Sequence, residues 1–179
     1  MGDADPVQTV TSAGLRAQAL LKSARVWADR NRYGEALVLT EKSLEADPLF
    51  ARAHCARAFY LAKLGRGEEA LTLLNDLLAR NPTDADALST LGACHLEAGR
   101  LDDAAPVLAE AVRLGPDNSL AHYNYACFCA RTNREENCRA ALTRALALEP
   151  RDKSRAAVDP DLALYRETAW FLELVALRR

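Results

Sequence analysis

Residues 87–116 read ALSTLGACHLEAGRLDDAAPVLAEAVRLGP. Leu88, Leu91, Gly92 and His95 recur at i, i+3, i+4 and i+7, which places them on one face of an α-helix. The run stops at Gly99-Arg100, a second helical run follows, and Gly115-Pro116 closes it. Glycine tolerates the left-handed backbone that ends a helix. Proline cannot continue a helix and biases its predecessor away from helical geometry. The stretch therefore reads as two helices joined by a tight turn.

Outward from this segment the same plan recurs every 34 residues. The closing prolines are Pro48, Pro82, Pro116 and Pro150, and the dividers are Asn31, Gly65, Gly99 and Asn133. Asparagine shares the left-handed tolerance of glycine. A small residue repeats as Ala36, Ala70, Ala104 and Cys138, and a branched apolar one as Leu44, Leu78, Val112 and Leu146. Arg32, Arg66, Arg100 and Arg134 follow the dividers, where a cation favours the exposed carbonyls of the preceding helix. The spacing predicts first helices over 12–30, 51–64, 85–98 and 119–131, and second helices over 33–46, 67–80, 101–114 and 134–148.

Composition agrees with an all-α chain. Half of the 179 residues are apolar, isoleucine is absent and aromatics make up 6%. Alanine, leucine, arginine and glutamate lose little entropy in helices. The net charge is −2, from 23 basic and 25 acidic residues without a basic block, so neither nucleic acid nor a membrane surface is an expected partner. The N-terminal MGDADPVQTV lacks the charged and apolar regions of a secretory signal, and no apolar run approaches the ~20 residues that span a bilayer. Five cysteines in that setting read as reduced thiols in a cytoplasm.

On these residues the chain resembles the tetratricopeptide repeat family, in four tandem copies over roughly 17–152. Leu88, Leu91, Gly92, Ala104, Leu108, Ala111 and Pro116 match the family signature, while Ala24, Ala58 and Ala126 replace the glycine in the other copies. The resemblance implies a right-handed superhelical solenoid. The organisation expected is a flexible N-terminus (1–11), hairpins over 17–50, 51–84, 85–118 and 119–152, and a linker turn with a capping helix over 153–179. The tail, after Asp159-Pro160-Asp161, resembles the closing segment of some bacterial proteins of this family. Terminal repeats expose an apolar face and need such a cap. A helix over 161–177 is predicted, with Leu164, Trp170, Phe171, Leu174 and Val175 packing on the last hairpin.

The first helix of each hairpin lines the concave side of such a solenoid. The groove residues predicted to touch a partner are Arg25, Arg52, Phe59, Lys63, Thr90, Tyr123, Asn124, Cys127 and Arg131. Aromatics and arginines supply most hot-spot energy at interfaces. The expected function is a protein-interaction module holding a peptide or protein segment, one with apolar anchors and some acidic character. Two alternatives are a self-associating scaffold, using an unpaired solenoid end or the Trp170-Phe171 cluster, and a secretion-type chaperone for an unfolded client. Family members that hold chaperone C-termini carry a lysine-asparagine clamp. Leu21, Arg25 and Ala56 stand at clamp positions here, which argues against that ligand.

No phosphate loop, nucleophile elbow or zinc-protease motif occurs, so no enzyme activity, metal or cofactor is expected. The pairs Glu68-Glu69 and Asp102-Asp103 open second helices, where they suit the helix dipole. Cys127 and Cys129 are two residues apart on a predicted helix, about 200° in rotation, so they point to opposite sides. His122, Tyr125, Ala126 and Cys129 then form an inward stripe, and Tyr123, Asn124, Cys127 and Arg131 a groove stripe.

Overall fold

The computed structural model describes residues 11–176 and contains helices and turns without a strand among them. The first hairpin pairs α1 (Ser12–Ala28) with α2 (Tyr33–Ala46), and the second α3 (Ala51–Lys63) with α4 (Gly67–Arg80). The third pairs α5 (Ala85–Glu97) with α6 (Leu101–Leu114), and the fourth α7 (Ser119–Arg131) with α8 (Glu135–Leu148). These bounds fall within two residues of the predicted ones. The predicted flexible segment lies, but for Thr11, outside the described residues.

The turn inside every hairpin is built the same way. Asn31, Gly65, Gly99 and Asn133 have φ of 57°, 78°, 73° and 55°. At each, the divider N–H donates three residues back and the following arginine N–H donates five residues back, as in Gly65 to Ala62 (3.0 Å) and Arg66 to Leu61 (2.9 Å). This paired bonding satisfies carbonyls that the helix end would leave unpartnered. The arginine backbone therefore does the capping. The side chains are used elsewhere: Arg32 pairs with Glu35 and Arg66 with Glu69 in the following helix, Arg100 reaches back to Glu68 of the previous hairpin, and Arg134 covers the Phe128 ring at 5.3 Å. Nothing lies within 4 Å of a Cβ added at Gly99, so Gly99→Ala is opposed by backbone geometry alone. It should cost about 1–2 kcal/mol in urea unfolding, whereas Asn133→Gly should change stability by no more than a few tenths.

Small residues let the helices of each hairpin meet. Ala24 with Ala36, Ala58 with Ala70, and Ala126 with Cys138 are fully buried, as is Ala104 opposite the buried Gly92. Between hairpins, α3 packs on α5 and α5 on α7, while each second helix packs on the next first helix. First helices thus form the inner layer. At the N-terminal end the layer loosens, because α1 packs closely on α2 and makes no comparable approach to α3.

The tail departs from the predicted single helix over 161–177. A 3-10 turn (Pro150–Asp152) leads into α9 (Lys153–Val158), a second 3-10 turn follows (Pro160–Tyr165), and α10 spans Ala169–Val175. The cause is local. Pro160 has no N–H to donate, the Asp159 carboxylate accepts from the Asp161 N–H at 3.0 Å, and Thr168 Oγ1 donates to the Tyr165 carbonyl at 2.7 Å. The resulting bend buries Leu162 and Tyr165 together with Phe171 against α7 and α8. Trp170, Leu174 and Val175 flank this cluster as the sequence indicates, but Leu164 points outward, 61% exposed.

Candidate functional site

The inner face divides into two halves with different surroundings. In the N-terminal half, Lys22, Arg25 and Arg52 are exposed, and Phe59 and Lys63 are half-buried. Phe59 sits edge-on to Tyr33 (6.4 Å) and to Tyr60 (6.0 Å), and the Lys63 ammonium lies 5.6 Å from its ring centroid. The cations here have intramolecular acids at hand. Arg52 is 3.5 Å from Asp86, and Lys63 pairs with Glu97. Arg25 donates to Asp152 at 2.7 Å, bridging the first hairpin to the tail.

In the C-terminal half four of the five predicted groove residues are buried, and Arg131 keeps exposed surface. Tyr123 is 1% exposed and Cys127 4%, and Thr90 and Asn124 are also buried. Over Tyr123 and Cys127 the cover is the chain's own tail. The Tyr123 hydroxyl donates to Asp159 Oδ2 at 2.8 Å, and the Arg155 guanidinium lies 4.1 Å over the Tyr123 ring. Arg131, the remaining member of the set on α7, donates to the Leu96 carbonyl at 2.5 Å and stands 3.8 Å from Asp161. Asn124 is used between helices, donating to the Ser89 hydroxyl (2.9 Å) and carbonyl (3.2 Å). Thr90 Oγ1 bonds back to the Asp86 carbonyl at 2.7 Å.

Asp152, Arg155, Asp159 and Asp161 are therefore site residues that sequence reasoning passed over. Asp152 falls in register with Asp84 and Asn118, the residues that precede α5 and α7, whereas Arg155, Asp159 and Asp161 belong to a tail that occurs once, so no periodic signal marks them. The Asp159-Pro160-Asp161 turn was legible as a turn, but its position over α7 was not.

One cluster has the composition of a metal centre. Cys127 Sγ and carboxylate oxygens of Asp159 and Asp161 lie within 4.8 Å of one another. Their partners are those of an ion-paired turn instead. Both Asp159 oxygens accept hydrogen bonds, and Arg155 and Arg131 supply cations at the position where a metal would add more positive charge. Burial, reinforced by Asp159 and Asp161, pushes the Cys127 thiol well above its ordinary range, so it stays protonated. The same burial pushes Cys55, Cys94 and Cys138 up to about 12. These thiols act as small apolar packing groups.

The remaining features have structural uses. Glu68-Glu69 and Asp102-Asp103 occupy the first turns of α4 and α6. Trp170 Nε1 donates to Glu135 at 2.9 Å and Phe171 is enclosed, so the Trp170-Phe171 pair is engaged within the chain. His122 Nε2 lies 3.1 Å from the Pro116 carbonyl, and His54 Nε2 stands 2.8 Å from that of Pro48, one contact repeated two copies apart. No described helix is long and apolar enough to cross a membrane.

Comparison with known proteins agrees with this architecture. The family described as the Psidin N-terminal TPR repeats region matches residues 21–156. The solved thermophilic TPR protein TTC0263 of Thermus thermophilus superposes with a TM-score of 0.65 at 26% identity, covering 89% of this chain and 86% of that one. The chain is 33% identical over 85 residues to the probable UDP-N-acetylglucosamine–peptide N-acetylglucosaminyltransferase SPINDLY of Arabidopsis thaliana, covering 48% of this chain and 9% of that protein. It is 30% identical over 100 residues to DnaJ homolog subfamily C member 7 of Mus musculus, covering 56% of this chain and 20% of the other. The chain thus spans a fifth or less of the length of these curated relatives. With four 34-residue hairpins, small-residue seams and a family match over most of its length, the chain belongs to the tetratricopeptide repeat family.

Proposed function

We propose that this chain is a protein-interaction module that holds a partner segment on the N-terminal half of its inner face. The observation that carries the reading is the contrast between the two halves. Arg25, Arg52, Phe59 and Lys63 keep exposed surface beside the loosened α1–α3 contact, while Tyr123 and Cys127 are covered. Phe59 supplies an apolar anchor and the cations supply charge, so the fitting partner is a peptide with an apolar side chain flanked by carboxylates. The existing ion pairs do not oppose this. Exposed pairs such as Arg52–Asp86 contribute only ~0–1 kcal/mol, and a partner carboxylate exchanges for the internal one at little cost.

Peptides selected from a random displayed library on the wild-type chain test the proposal. The selected peptides should carry aspartate or glutamate next to an apolar residue. The double variant Arg52→Ala, Phe59→Ala should weaken their binding at least tenfold, about 1.4 kcal/mol, with unchanged helical circular dichroism. Unchanged affinity in that variant would place the binding face elsewhere.

A further inference from the structure

The tail falls into two parts held by different forces. Residues 162–175 form an apolar anchor, with Leu162, Tyr165 and Phe171 enclosed on the fourth hairpin. Residues 150–161 form a strap across the inner face, and most of its contacts are polar: Asp152 with Arg25, Asp159 with Tyr123, and Asp161 with Arg131. Ala156 is the fully buried apolar side chain of the strap, while Val158 points outward, 73% exposed. Its helix α9 has six residues and no side-chain cap, far below the ~12–15 residues at which an isolated helix becomes marginally stable. The Arg25–Asp152 pair, which ties the strap to the first hairpin, is one ion pair with a half-exposed arginine.

Such a strap can lift while the anchor keeps the end of the solenoid capped. What it uncovers is a floor made for a particular ligand. The Tyr123 hydroxyl presents a donor, and the Arg131 guanidinium, braced by its bond to the Leu96 carbonyl, presents a cation beside it. In the closed chain these receive Asp159 and Asp161, two aspartates separated by one proline. A second segment with the same spacing would replace the two aspartate contacts, while Arg155 moves off the Tyr123 ring into water.

Resting on the reading of the inner face as the interaction surface, we infer that the floor formed by Tyr123, Cys127 and Arg131 is a second docking site. It takes a partner turn carrying two aspartates one residue apart, and the chain's own Asp159-Pro160-Asp161 occupies it until such a segment displaces the strap. Binding there would extend the open N-terminal half into one continuous groove.

The probe is a fluorescein-labelled peptide of residues 150–166, read by anisotropy against the full chain. It should bind the wild-type chain weakly and the Asp152→Ala, Asp159→Ala chain at least fivefold more tightly. A peptide carrying Asp159→Asn and Asp161→Asn should bind that variant at least fivefold less tightly than the unsubstituted peptide. On the wild-type chain, saturating peptide should speed hydrogen exchange across 153–158 and leave 169–175 protected, a readout that does not depend on the variant folding. Unchanged exchange across 153–158 at saturation would overturn the inference, as would a folded variant that binds the peptide no better than wild type. If the library-selected peptides still lose affinity in the Arg52→Ala, Phe59→Ala chain, only this second site falls. Loss of both results removes the inner face as the interaction surface.

Discussion

Phe171→Ala should destabilise the chain by about 3–5 kcal/mol, the range for emptying a buried aromatic site. Phe171 is 1% exposed and its ring centroid lies 5.6 Å from that of Trp170. The cluster around it joins α10 to Cys138, Leu142 and Leu146 of α8 and to the tail residues Leu162 and Tyr165. In a solenoid the last hairpin has a neighbour on one side only, so its outer apolar face depends on this cover. The loss should therefore appear as a melting temperature lower by roughly 6–20 °C, at about 2–4 °C per kcal/mol, with earlier unfolding in urea. Leu172, its neighbour on the same helix, is 52% exposed. Leu172→Ala should stay within about 0.5 kcal/mol of wild type. Equal stability of the Phe171→Ala and Leu172→Ala chains would show that the cap does not pack as described.

Gly92→Leu should be comparably damaging, at about 3 kcal/mol or more, through the opposite fault of overpacking. A Cβ added at Gly92 would stand 2.3 Å from Leu108 Cγ and 2.4 Å from its Cδ2, and Leu108 is fully buried. The repeats themselves predict how much the site tolerates. Ala58 faces Leu74 and Ala126 faces Leu142 at the equivalent positions, all fully buried. A single methyl is thus accommodated by turning the leucine, and the helix propensity of alanine, better than glycine by ~1 kcal/mol, offsets the adjustment. Gly92→Ala should therefore melt close to wild type, while Gly92→Leu has no space for three further carbons. Because α5 and α6 lie mid-array, the loss should unfold the whole chain cooperatively. A Gly92→Leu chain as stable as Gly92→Ala would contradict the close approach of the two helices.

These two sites also mark the limit of what the sequence discloses. A small residue at the Gly92 position, another at the Ala104 position and a Gly or Asn divider each recur four times in register, and four copies of a weak signal make a strong one. The hairpin turns, the helix bounds and the small-residue seam follow from that repetition. Tyr123, Asn124, Cys127 and Arg131 share a face of α7, as helical rotation requires. The fate of that face was not legible. Tyr123 meets Asp159, 36 residues further on, through a tail that occurs once and carries no register. A polar segment such as residues 150–161 looks like linker in sequence, because hydrogen bonds and ion pairs leave no hydrophobic period behind. The predicted helix over 161–177 failed for a related reason: its apolar residues suit both a continuous helix and the bent path that buries Leu162 and Tyr165.

Asp161 gives the strap a weak pH dependence of definite sign. Burial and the neighbouring Asp159 raise its carboxyl above the ordinary value, with Arg131 and Lys63 opposing. A raised acid binds its proton more tightly in the folded chain, so its contribution is fully present below the unfolded value and is lost as pH rises through the folded one. This runs against the usual acid-denaturation trend, and Asp161→Asn should remove it from the pH profile of stability.

The chain's own tail lies over the C-terminal half of the inner face. Alkylation of the native chain with iodoacetamide, followed by peptide mass analysis, reads it directly, because Cys127 lies under the strap and Cys138 lies in a hairpin seam. Cys127 should react at least tenfold more slowly than in the urea-unfolded chain. A native Cys127 that reacts at the unfolded rate, while Cys138 stays protected, would show that the tail does not cover it.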